Sequence, residues 1–237
     1  VKPLTVLAWD TATDRSAAAL VRWRNGETET LADHMGDSGL HSQKLPPLAA
    51  RMLAEHGLAP AEVDLVVVGR GPGSFTGLRT GLALAKGLAL GAGRPVLGLG
   101  TLKVLAAQIL AAEADSEFLA APVIDARHGE VFTALANGRG WLLEPLALSP
   151  EKLPAALGAA AGGRPVRVDG PALPLVRGAL AEPGFRAGSG DGPVGPLRPS
   201  AVVLARLGAE IFQTGPAALR LHPPLPLYIR EPDLRKH

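Results

Sequence analysis

The stretch VVVGRGPGSFTGLRTG, residues Val66 to Gly81, decides how the rest of the chain is read. The apolar run leading into it, Val63 to Gly69, predicts a strand buried on both faces, as in a parallel sheet. A glycine-rich loop follows, then a helix over Thr76 to Ala92. Strand, loop and helix in that order expose backbone N–H groups at a positive helix terminus, where anions bind. The spacing is not that of a Walker loop, because no Gly-Lys-Ser/Thr follows, and it is not a dinucleotide fingerprint. Gly71, Gly73 and Ser74 are candidate anion contacts. A plainer reading, a tight turn with Ser74 or Thr76 as helix cap, stays open beside it. Arg79 falls in the first or second helical turn, where the dipole disfavours a cation by about 0.3–1 kcal/mol. An anionic partner is expected for it.

The helix is rich in small residues. Gly77, Gly81 and Ala85 form one row at i+4 spacing, and Ala83, Gly87 and Gly91 form another. Each interior Gly costs about 0.8–1.0 kcal/mol against Ala, so something is expected to pack very close. Two candidates stand: the chain's own sheet, or a helix of another subunit.

Working outward, Leu4 to Asp10, Ser16 to Trp23 and Glu27 to Asp33 predict three strands of an antiparallel meander. Asn25-Gly26 supplies a hairpin turn, because both positions favour positive φ. A helix is expected over His41 to His56, with Leu45, Leu48, Ala49, Met52 and Leu53 on one face. Pro46-Pro47 suit only a first turn, so its start can fall as late as Leu45. On the other side, Pro95 to Leu99 predicts a strand and Thr101 to Glu113 a helix. The second half opens similarly, with strands over Phe118 to Asp125 and Val131 to Ala136 and a hairpin signal at Asn137-Gly138. Pro165 to Asp169 is a further short strand. Residues 183–199 hold nine Gly or Pro in seventeen positions and read as a loop. Ser200 caps a helix in which Val203, Leu204, Leu207 and Ile211 share a face. Both halves begin strand–acid–turn–strand. This predicts a duplicated α/β fold with domains over 1–113 and 114–237, the helix near 200–214 packing back on the first.

Asp10, Thr11 and Thr13 place a carboxylate and two hydroxyls at a strand end. That set suits a nucleotide phosphate or its magnesium, or simply a polar turn. Asp125 and Glu130 occupy the matching place in the second half. The 237 residues include no Cys, which excludes disulfides, thiolate metal sites and a Cys nucleophile. None of the six His forms an i, i+4 pair, and there is no His-Glu-x-x-His or Gly-x-Ser-x-Gly. No metal site and no catalytic residue is therefore assigned. No uncharged apolar run is long enough to span a membrane. The N-terminus lacks the layout of a signal peptide, and a cytosolic location is expected. The net charge is +2, with 12 Lys/Arg against 14 Asp/Glu up to residue 130 and 12 against 8 beyond it. The cations are scattered along the sequence, which argues against a stand-alone nucleic-acid binder.

The opening LAWDTATDRSAAAL, HSQKLPPL, VVVGRGPGSFTGLRTGLALAKGLA, IDARHGEVF, the VDG at 168–170 and the closing PLYIR together resemble the TsaB (YeaZ) family of tRNA threonylcarbamoyladenosine biosynthesis proteins. These pieces span nearly the whole chain. The resemblance implies an actin-like, sugar-kinase-like fold of two related domains. It implies a non-catalytic activating partner of the paralogue TsaD, which transfers threonylcarbamoyl to the tRNA adenosine beside the anticodon, with the ATPase TsaE joining them. It also implies that the helices around 41–56 and 77–91 meet TsaD, or a second copy of the chain when TsaD is absent. On that basis Gly77, Gly81, Ala85, Gly87, Leu48 and Met52 are candidate interface residues. Asp10, Thr11, Thr13, Gly71, Gly73, Ser74 and Arg79 are candidate nucleotide or anion contacts. TsaD-type enzymes hold their metal partly through two His one turn apart; here His41 is followed four residues on by Leu45. Ala12 replaces the Gly of the usual phosphate turn, so ATP or ADP is expected at an interface with TsaD rather than on this chain alone, and tRNA through the complex. The alternative is an ATP-hydrolysing or metallopeptidase-like enzyme of the same fold.

Overall fold

Apolar runs, residues 6–9 in β1 (Leu4–Asp10) and residues 17–21 in β2 (Ser16–Arg24), build the centre of a five-stranded sheet. These strands and β3 (Glu27–Gly36) form an antiparallel meander. Asn25 and Gly26 turn between β2 and β3 with φ of 51° and 89°. The computed structural model describes residues 2–36, 44–112, 117–188 and 196–229. After the meander come α1 (Leu45–Glu55), β4 (Leu65–Gly69), α2 (Phe75–Ala92), β5 (Val96–Leu99) and α3 (Thr101–Ala112). Pro46 and Pro47 sit in the first turn of α1, where their missing N–H groups cost nothing. β4 runs parallel to β1 and β5 parallel to β4, giving the order β3-β2-β1-β4-β5.

The second sheet repeats this plan. β6 (Leu119–Arg127), β7 (Glu130–Asn137) and β8 (Gly140–Leu148) form the meander. After α4 (Leu153–Ala161), β9 (Val166–Asp169) lies parallel to β6. After α5 (Leu173–Val176), β10 (Phe185–Ala187) lies parallel to β9, and the order is β10-β9-β6-β7-β8. The chain ends its described course in α6 (Ala201–Phe212), α7 (Ala217–Leu221) and an extended strap. The two sheets share one strand order, which is the duplicated α/β fold expected from the sequence. One compact unit holds the chain up to Val104 together with Pro199–Leu227; the other holds Leu105–Arg198.

The central strands of the first sheet are buried on both faces, and the period of two divides their residues. Leu7, Trp9, Leu20, Val66 and Val68 pack with α1 and α2 through Leu45, Met52, Leu53, Leu78 and Leu82. Val6, Ala8, Ala19, Val21 and Val67 pack with α6 through Ala201, Leu204, Ala205 and Ala209. The inner row of α6 is therefore made of alanines and Leu204. Val203, Leu207 and Ile211, expected to line it, are only half-buried. Gly208 explains the offset: it lies so close to Val67 that a Cβ would overlap that side chain.

The short helices α5 and α7 escaped the sequence reading, and so did three longer or paired elements. β8 is an edge strand interrupted by Pro145, tolerable only where no neighbour needs the missing N–H. α4 is an Ala-rich nine-residue helix with almost no polar face. β10 corrects the loop expected over 183–199: three residues pair at a sheet edge inside a Gly- and Pro-rich background. The second hairpin turn is Gly138-Arg139, one residue later than the Asn137-Gly138 signal.

Candidate functional site

In the first unit, the ends of β1, β4 and β5 come together beside the start of α2. Asp10, the last residue of β1, is 1% exposed. Its carboxylate accepts hydrogen bonds from the Ala12 N–H at 2.8 Å and the Thr101 hydroxyl at 2.7 Å. Burial pushes its pKa up, and those two donors partly offset the rise. Gly69 passes so close that a Cβ there would overlap the same carboxylate. Asp10 thus ties β1 to β4 and to the first residue of α3.

The glycine-rich loop lies directly on the β1–β2 turn. The Ser74 N–H donates to the Ala12 carbonyl at 2.7 Å, and the Thr101 N–H donates to Gly71 O at 2.7 Å. Gly71 has φ of 95°, and Gly73 approaches Ala12 too closely to carry a side chain. The Thr11 hydroxyl donates to Gly77 O at 2.7 Å, and the Thr13 hydroxyl to Arg15 O at 2.8 Å. The Ser74 hydroxyl oxygen accepts from the Gly77 N–H at 3.2 Å, so Ser74 is the helix cap. The fold brings Asp10, Thr11, Thr13, Gly71, Gly73 and Ser74 to one edge, but their polar atoms bond to one another and to their own backbone. Arg79 is separate. It lies on the exposed side of α2 with its guanidinium 3.8 Å from the centroid of the Phe75 ring, so its partner is an aromatic face rather than an anion.

The interface candidates divide by helix face. Gly77 and Gly81 pack on Thr11, where a Cβ would overlap its carbonyl and hydroxyl oxygens. The Trp9 indole N–H donates to Gly81 O at 2.9 Å, and Ala85 is buried in the same cluster. The close approach expected of that row is made by the chain's own sheet. Leu48 and Met52 also belong to the core. Of the six, Gly87 alone lies outside it, with nothing within 4 Å of where a Cβ would stand. The exposed face of α2 carries Ala83, Lys86, Gly87, Leu90 and Gly91, and Leu90 is 85% exposed. Leu90 was missed because nothing in an apolar periodicity marks the one Leu that points outward.

A solved structure described as an uncharacterized Pseudomonas aeruginosa protein with similarity to peptidase YeaZ superimposes with a TM-score of 0.72 and 30% identity, covering 96% of this chain and all of that one. An uncharacterized protein of Mycobacterium tuberculosis is 35% identical over 98% of this chain and 94% of its own length. The tRNA threonylcarbamoyladenosine biosynthesis protein TsaB of Escherichia coli is 37% identical over 131 residues, 55% of this chain. The chain belongs to the TsaB/YeaZ family. It matches about half the length of the TsaB proteins named for that pathway: 54% of the Escherichia coli protein, 52% of the Haemophilus influenzae protein and 58% of the Bacillus subtilis protein. The family model for TsaD, tRNA N6-adenosine threonylcarbamoyltransferase, matches residues 37–142. That span includes the loop and α2, the parts of this TsaB-family chain described above. His41, the single imidazole considered against a metal pair, lies outside the described residues. Among the described residues no three His, Asp or Glu side chains are grouped to hold a metal ion, and no helix is long and apolar enough to cross a membrane.

Proposed function

We propose that this chain is a non-catalytic activating partner of a TsaD-type transferase in threonylcarbamoyladenosine synthesis, and that the outer face of α2 is where the two meet. The observation that carries this reading is the exposed run Ala83, Gly87, Leu90 and Gly91 on a helix whose opposite face is fully used by its own sheet. Small residues lower the ridges of a helix and let a second helix approach closely, while Leu90 offers an apolar knob. Kinship with TsaB proteins and the match to the TsaD model support the choice of partner. A second copy of the chain would use the same face when the transferase is absent. A TsaE-type ATPase would join the complex, tRNA would be engaged through it, and the assembly would work in the cytosol. Nucleotide would bind, if at all, at the contact with the transferase, because the Asp10 carboxylate is already committed to Thr101 and Ala12.

The test is association of the purified chains followed by light scattering and titration calorimetry. Leu90→Glu is expected to weaken transferase binding at least about thirtyfold, the loss of a central contact worth about 2 kcal/mol. Its melting temperature should stay that of the wild type, because Leu90 is exposed. Undiminished binding by this variant would move the interface elsewhere.

A further inference from the structure

Three basic side chains far apart in sequence meet at one place in the first unit. Arg70 directly follows β4, and Lys103 lies in the first turn of α3, which directly follows β5. Both stand at the carboxyl ends of adjacent parallel strands, where ligands of open α/β sheets bind. His222 follows α7 and is brought in by the strap. Its carbonyl accepts the Gly98 N–H at 2.9 Å, and the Leu227 N–H donates to Arg70 O at 2.7 Å. The Arg70 guanidinium reaches the Pro223 carbonyl at 3.5 Å. Gly98 is needed for this docking, since a Cβ would stand 2.6 Å from Pro223 O.

The charged groups that act on the His222 ring are both basic, and the nearby Asp10 carboxylate is held by Thr101 and the Ala12 N–H. Partial burial pulls the His222 pKa down, and the charges of Lys103 and Arg70 pull it further. β5 brings no ionisable side chain, the strap as far as residue 229 brings only Tyr228, and the one charged residue of α7 is Arg220. Among the described residues no carboxylate forms an ion pair with Arg70, Lys103 or His222. Lys103 also lies against the positive pole of its own helix. Holding like charges together costs stability that a bound anion would return.

We propose that Arg70, Lys103 and His222 form a binding site for a phosphate group. A half-buried guanidinium gives directional N–H donors, the exposed ammonium a mobile charge, and the imidazole a donor that gains its proton when the anion arrives. The phosphate is either a diester in an RNA strand or a free phosphate or mononucleotide. This site is independent of the α2 face and stands whether or not that face binds a transferase.

The test is NMR titration of the His222 ring in the full chain, at fixed ionic strength, in chloride, with inorganic phosphate, with AMP, and with a short single-stranded RNA. The site predicts that at least one phosphate probe raises the His222 midpoint by half a unit or more, while His56 stays put. Lys103→Gln should abolish that rise. If inorganic phosphate or AMP acts, the site takes free phosphate groups. If RNA alone acts, it reads the strand backbone, and Lys103→Gln should lower the salt slope of RNA affinity by about 0.7. A His222 midpoint unmoved by every probe, or a rise that persists in Lys103→Gln, would overturn the proposal.

Discussion

Two glycines of α2 separate the demands of the core from those of the surface. Gly81 has no room for a methyl group beside the Thr11 hydroxyl, whereas Gly87 faces open space. Gly81→Ala is expected to destabilise the chain by about 1–3 kcal/mol through overpacking. Gly87→Ala should stabilise it by about 0.8–1.0 kcal/mol through helix propensity. Denaturant midpoints for the two variants check both signs. Asp10 makes a second residue-level prediction. Its folded pKa lies above the ordinary carboxylate value of 3.8, with burial as the main cause. Below 3.8 the group is protonated in both states and contributes nothing. As pH rises through 3.8 towards the folded pKa, the unfolded state ionises first and the native state loses stability; above the folded pKa the cost is constant. Asp10→Asn should therefore gain on the wild type between pH 4 and pH 7. A stability difference that stays flat or reverses across that range would contradict this account of Asp10.

At the scale of elements, α6 is the piece that most depends on small side chains. Its Gly208 rests on Val67 of β4, and its inner row is Ala201, Leu204, Ala205 and Ala209. Gly208→Ala is expected to cost about 1–3 kcal/mol, visible as a lower thermal midpoint, and shortening Val67 in the same chain should recover part of it. This is also where the sequence was hardest to read. Of the large apolar residues of α6 that mark its inner face, Leu204 is buried and Val203, Leu207 and Ile211 pack half-buried against the same core, because close helix–sheet contact favours Gly and Ala in the innermost row. The β1–β2–β3 meander, α2 and the β4 and β5 strands were legible, since Asn25-Gly26, the buried valines and the Ser74 cap are strong local signals. β8 and β10 were not, because edge strands depend on pairing partners that a local pattern does not reveal. At the candidate site, Asp10, Thr11 and the loop glycines were named from the sequence one by one, and the fold places them at one edge. What the sequence concealed was that their polar atoms would be used by the chain itself.

For the molecule as a whole, two sheets share one strand order. In the first, the turn that would cradle a phosphate is packed under the chain's own glycine-rich loop. Arg70 and Lys103 stand at the ends of adjacent strands, and the docked strap adds His222 to them. The most direct measurement is threonylcarbamoyl incorporation into tRNA by a TsaD-type transferase, assayed alone, with this chain, and with its Leu90→Glu variant. The account predicts strong stimulation by the wild-type chain, little or none by the variant, and no incorporation by the chain without the transferase. A transferase equally active without the chain, or modification of tRNA by the chain alone, would contradict it.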